Sequence, residues 1–95
     1  MTSRLAGKRV LLTQADDYMG PAVAARFREA GAEVVAMPGR VTQPAAVEVL
    51  TRACPDPDIV IANLAAGPSP APVGEIEEEA WQELFDVMVH PLMRI

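Results

Sequence analysis

The feature that most constrains this chain is the order strand, tight turn, helix, strand between residues 9 and 37. Arg9-Val10-Leu11-Leu12-Thr13 is a short apolar run just after a glycine, which predicts a fully buried strand. Gly20-Pro21 then opens a helix, with proline at the first helical position, where its missing N–H costs nothing. Val23, Phe27 and Ala30 recur on one helical face, while Arg26, Arg28 and Glu29 point away. Gly31 supplies the C-terminal cap. Glu33-Val34-Val35-Ala36-Met37 predicts a second buried strand, ended by Pro38-Gly39. Two such strands joined by a crossover helix run parallel, and the crossover is right-handed by strong preference.

The same alternation continues. Residues 44–53 predict a second helix, with Thr42 as its N-cap and Val47 and Leu50 facing inward. Pro55-Asp56-Pro57-Asp58 is a turn, and Ile59-Val60-Ile61-Ala62 a third buried strand ending at Asn63. Residues 66–74, rich in Pro, Gly and Ala, predict a loop. A third helix is expected from Glu75 onward. Trp81, Leu84, Phe85, Met88 and Leu92 form its apolar stripe, Glu77, Glu78 and Glu79 lie near its N-terminus, and Pro91 kinks or ends it. The resulting β-α-β-α-β-α order implies an α/β fold, a parallel sheet of about three strands flanked by helices on both faces.

Composition removes several function classes. Net charge is −5, from 13 acidic and 8 basic residues, and aromatics are only 4%. A chain so charged, without an aromatic platform, is not built for nucleic acid. The lone Cys54 excludes an intrachain disulfide and a cysteine-based zinc site, and no apolar run is long enough to cross a membrane. A soluble cytoplasmic protein without a metal is the expectation. With one His (His90), one Tyr (Tyr18), one Lys (Lys8) and two Ser (Ser3, Ser69), most catalytic constellations cannot be assembled from these residues.

In open parallel sheets, ligands bind beyond the carboxyl ends of the strands, where strand order reverses. The segments expected there are residues 13–20, 37–40 and 63–74. Thr13-Gln14-Ala15-Asp16-Asp17-Tyr18-Met19-Gly20 resembles the Thr-Gly-x-x-x-Gly-x-Gly turn that follows the first strand in short-chain dehydrogenases/reductases. Asp58-Ile59-Val60-Ile61-Ala62-Asn63-Leu64-Ala65 is similar to that family's Asp-hydrophobic-hydrophobic-hydrophobic-Asn-Asn-Ala-Gly. Trp81, followed by Phe85-Asp86-Val87-Met88, resembles its next helix. The three segments stand in family order. The resemblance implies a Rossmann-like fold, truncated relative to the family, with residues 1–95 as one partial dinucleotide-binding domain.

It further implies NAD or NADP in contact with Thr13, Gln14, Asp17, Tyr18, Met19, Gly20, Arg40, Asn63, Leu64 and Ala65. The implied reaction is hydride exchange with a carbonyl or alcohol on a small-molecule substrate. Met37-Pro38-Gly39-Arg40 ends the second strand without the acid that would bind a ribose hydroxyl, so Arg40 points toward NADP.

The chain departs from the family pattern in five places. Gln14 and Tyr18 replace two glycines, crowding the pyrophosphate position, and Asp16 and Asp17 add negative charge beside it. Met88 stands where the family has a catalytic Asn. The second strand lacks its acid. The stretch from Met37 to Asp58 holds one helix where the family has helix, strand and helix. The family's catalytic Ser and Tyr-x-x-x-Lys have no counterpart, so no catalytic residue is assigned and the chain alone is expected to be inactive.

A second resemblance is to the halohydrin dehalogenases, which share the fold, carry an aromatic in the glycine turn and hold a halide in place of the dinucleotide. Tyr18 within its turn and the His90-Pro91 step fit that pattern. A non-catalytic association module is the third reading. The apolar helix of residues 81–93 is expected to seat another copy or a second chain completing the fold.

Overall fold

A computed structural model describes residues 4–66 and 73–95. Most of the loop expected at residues 66–74 lies outside them. The element order is β1 (Arg9–Leu12), α1 (Gly20–Glu29), β2 (Glu33–Ala36), α2 (Pro44–Ala53), β3 (Ile59–Ile61), a 3-10 turn (Val73–Glu75), α3 (Glu78–Met88) and α4 (His90–Arg94). The three strands form one parallel sheet in the order β2-β1-β3. The expected α/β architecture is therefore the observed one. β1 is central, and the chain leaves it toward β2 and later returns on its other side at β3. Among the described residues no strand flanks β2 on its outer side, in keeping with the single helix between Met37 and Asp58.

The register sets Leu11 beside Val35 and Val60, and Leu12 beside Ala36 and Ile61. Neighbours in a parallel ladder point to the same face, so these are two opposite faces of one sheet. On the Leu11 face, α2 lays down Leu50, with Val41 and Cys54 closing a buried cluster. Val35, Met37, Ala46, Val47 and Ile95 pack around it. On the other face Val10 and Leu12 are wholly buried, and Ala24 is the buried side chain of α1.

Helix α1 ends as its sequence requires. Gly31 has φ +93°, its N–H donates to Arg28 O at 3.0 Å, and the Ala32 N–H donates to Phe27 O at 3.1 Å. This is the paired arrangement of a Schellman cap.

Several expectations are corrected. β1 is buried from Val10 to Leu12 but not at Arg9, while β2 and β3 are edge strands and Val60 remains 46% exposed. The buried stripe of α1 centres on Gly20 and Ala24, with Val23, Phe27 and Ala30 only half-buried. Gln43, not Thr42, is the N-cap of α2, and it makes no side-chain cap bond. The third helix begins at Glu78 rather than Glu75, with Glu77 as its N-cap. Its buried residue is Val87, while Trp81 (50% exposed), Met88, Leu92 and Met93 face outward. Pro91 does break the helix. In a continuous helix its ring would collide with the carbonyl four residues back, at Val87, and α3 ends at Met88 before α4 resumes.

Candidate functional site

The turn between β1 and α1 lies at the carboxyl end of the central strand, at the point where β2 and β3 diverge from it. Thr13 enters this turn fully buried. Its N–H donates to Ile61 O at 3.2 Å and its hydroxyl to Asn63 O at 3.1 Å, so the ends of β1 and β3 are tied together. Gln14 and Tyr18 then take φ of +46° and +50°, the left-handed region that favours glycine. These are two of the three positions where the resembled family has glycine, the third being Gly20. The backbone path of a glycine turn is thus kept by two residues that disfavour it.

Gln14 does not crowd the crevice as expected. It is 1% exposed and lies between the turn and the segment after β3. Its Nε2 donates to Ala65 O at 2.8 Å, and its Oε1 accepts the Ala65 N–H at 3.2 Å. One side-chain amide thereby pairs with both polar groups of a buried backbone unit, as a neighbouring strand would. Asn63 completes the brace from the other side. Its Nδ2 donates to Gln14 O and Asp17 O, each at 3.0 Å. Asn63 therefore orders the crossover.

The two aspartates are exposed, and both accept bonds from the turn and its neighbours. Asp17 Oδ1 accepts the Tyr18 N–H at 2.7 Å, and Oδ2 accepts the second hydrogen of Gln14 Nε2 at 3.0 Å. Asp16 Oδ1 accepts the Gly39 N–H at 3.0 Å, and the Ala15 N–H donates to Met37 O at 2.9 Å. The turn is thereby fastened to the end of β2 as well. Ala15 and Asp16 were not among the expected site residues. Their acid-rich turn was the one sequence signal, and it did not reveal where the bonds go.

Of the remaining expected residues, Tyr18 (72% exposed), Met19 and Arg40 lie at the surface, Leu64 is half-buried and Ala65 buried. Met19 is the N-cap residue of α1, and Gly20 begins the helix in tight contact with Ala15. The structure thus gathers Thr13, Gln14, Asp17, Asn63 and Ala65 into one hydrogen-bonded unit and carries Tyr18, Met19 and Gly20 on its outer side. Arg40 stands at the end of β2, beside a small hollow of about 140 Å³ lined by Met37, Val41, Ala46 and Leu50.

The turn fits the path of a phosphate-binding loop but not its charge. Free N–H groups at a helix start attract an anion. Here the Tyr18 N–H is taken by a carboxylate, the Gly20 N–H donates to Asp17 O at 2.9 Å, and Pro21 has none. Among the described residues no three His, Cys, Asp or Glu side chains converge for a metal, and no helix is long and apolar enough to cross a membrane.

The strained turn makes one prediction at Tyr18. A side chain at positive φ costs about 1–2 kcal/mol, partly offset by the looser unfolded chain that glycine brings. Tyr18→Gly should therefore raise stability by up to about 1 kcal/mol, read as a higher urea midpoint at unchanged slope.

No protein-family model and no curated protein matches the sequence. Solved structures do. Aldohexose dehydrogenase of Thermoplasma acidophilum, in ligand-free form, superposes with a TM-score of 0.77 at 20% identity, over 99% of this chain and 43% of its own. The NADH-dependent reductase A1-R′ complexed with NAD gives 0.66 at 19%, over 99% and 51%. A Burkholderia cenocepacia chain named as a dehydrogenase, with NADP bound, gives 0.66 at 24%, over 92% and 44%. This chain therefore shares the Rossmann-like fold of dehydrogenases and reductases along nearly all of its own length and about half of theirs.

Proposed function

We propose that these residues form the ligand-crevice half of a short-chain dehydrogenase/reductase-like oxidoreductase, whose reaction exchanges hydride between NAD(P)(H) and a carbonyl or alcohol. The observation that carries this reading is the left-handed backbone at Gln14 and Tyr18. It reproduces a glycine turn at the point where strand order reverses. The fold shared with the dehydrogenases and reductases supports it. These residues supply crevice walls from the turn, from Asn63 to Ala65 and from Arg40, and no acid or base. Arg40, exposed at a strand end that lacks an acid, favours NADP over NAD.

A halohydrin-dehalogenase-like lyase is the second reading. It is favoured by the bonding of Asp17 and Gln14, which closes the turn to phosphate. Thermal unfolding with added ligand separates the two. A ligand that binds only the folded chain raises its melting temperature. NADPH at millimolar concentration should raise it by several degrees, NADH by less, and bromide not at all. Stabilisation by bromide with none by either dinucleotide would transfer the assignment to the dehalogenase reading. If neither ligand matters and the chain self-associates in sedimentation, the exposed Trp81, Met88, Leu92 and Met93 mark an association module.

A further inference from the structure

Helix α3 is bare over much of its length. Every residue from Glu77 to Glu83 is exposed, and that stretch covers about two turns, so the helix meets solvent there on all sides. Its packing begins only at Leu84, Phe85 and Val87. The spacing of Trp81, Phe85, Met88 and Leu92 lays them along one stripe that runs on into α4. Trp81 is 50% exposed, Met88 43% and Leu92 63%, and the Trp81 and Phe85 rings lie 5.2 Å apart. An exposed apolar stripe with a tryptophan in it marks a surface that a partner covers. The charge beside the stripe says what kind of partner. From Ala53 to Met93 the chain holds eight Asp and Glu residues and no Lys or Arg. Glu78, Glu79, Glu83 and Asp86 form one acidic surface with Gln82. Glu77 and Glu78 stand four and three residues before Trp81, so acids also border the stripe. Glu79 and Glu83 are like charges four residues apart, a spacing that weakens a helix. Among the described ion pairs, the only one on this surface joins Asp86 to His90, at 3.1 Å.

We propose that this face of α3 is a docking surface for a basic amphipathic helix of another protein. The partner's apolar side covers Trp81, Phe85, Met88 and Leu92, and its Lys or Arg side chains lie along the acidic band. Burial of the stripe supplies most of the affinity. The partner's cations relieve the repulsion within α3 and select the partner. A second copy docked face to face brings the same stripe and the same acids, with no Lys or Arg to set against them. The surface stands apart from the crevice, so the inference holds whichever ligand the crevice takes.

Trp81 is the only tryptophan, so its fluorescence reports on this face alone. The probe is a synthetic amphipathic helix with one Leu face and one Lys face, about five turns long. Added to the full chain, it should move Trp81 emission to shorter wavelength and saturate, while a peptide with Glu in place of Lys should do neither. Glu78→Gln/Glu79→Gln/Glu83→Gln should weaken binding by about tenfold. Glu29→Gln/Glu48→Gln/Asp56→Asn removes the same charge from other elements and should stay within about twofold of wild type. Leu92→Gln should weaken binding by about fivefold and Leu92→Met should not. No response of Trp81 to the Lys peptide, equal binding of the Glu peptide, or an equal loss in the two triple variants would overturn the proposal. So would full affinity in Leu92→Gln, which would reduce the contact to charge alone. A free chain that sediments as a dimer, and as a monomer in Leu92→Gln, would give the face to a second copy and overturn it too. Should the α3 triple variant lose helix by circular dichroism, each of its single substitutions must still weaken binding by about twofold.

Discussion

Gly20→Ala should destabilise the chain by more than about 3 kcal/mol, enough to unfold most of a domain this small at room temperature. The cause is space rather than backbone torsion. A Cβ on Gly20 would stand 2.6 Å from the carbonyl carbon of Ala15 and 2.8 Å from its Cα. Those are backbone atoms, which cannot swing aside as the tip of a side chain can. Ala15 is also pinned, because its N–H donates to Met37 O at the end of β2. Making room means lifting α1 from the sheet or pulling the turn from β2, and either breaks contacts that define the crevice. Gly74→Ala is the control, since its added Cβ meets nothing within 4 Å among the described residues. It should fall within about 0.5 kcal/mol of wild type, as surface substitutions do. Urea unfolding followed by circular dichroism reads both.

Gln14→Ala carries the second large effect, a loss of about 2–4 kcal/mol. The Gln14 amide is the partner of both the N–H and the C=O of Ala65, and both residues are buried. Truncation leaves those two backbone groups without a partner, at a cost of about 1–3 kcal/mol each before water enters. Alanine also keeps the unfavourable φ of +46°. Gln14→Gly should therefore be less damaging than Gln14→Ala by about 1 kcal/mol, because glycine relieves that torsion. Substitution by glycine thus has opposite signs at the two left-handed positions: it stabilises at exposed Tyr18 and destabilises at buried Gln14. A loss below about 1 kcal/mol for Gln14→Ala would mean that the amide does not hold the two segments together.

The contrast between these residues shows which parts of the molecule are legible in sequence. The boundaries of α1 and α2 are written locally, in Gly20-Pro21, Gly31 and Pro44, because capping and proline geometry act within a few residues. The break before α4 is local too, since Pro91 acts on the turn just before it. The role of Gln14 is not local. Its partner Ala65 is 51 residues away, so nothing near Gln14 distinguishes a buried brace from a side chain blocking a ligand. The exposure of Val60 is hidden for a similar reason. An apolar triplet looks the same in a central strand as at a sheet edge, and only the strand order β2-β1-β3 decides between them. The stripe on α3 was legible as a stripe, but what it packs against is not a property of its spacing.

The central claim is that the ligand site of this chain is the turn after β1 together with Asn63 and Ala65. It is tested most directly by following backbone amide resonances while NADPH is added, and separately bromide. Shifts are expected to concentrate at Gln14, Asp17, Tyr18, Met19, Gly20, Asn63, Leu64 and Ala65, with Arg40 joining them for NADPH alone. Shifts confined to α3 or α4, with the turn unmoved at saturation, would contradict it.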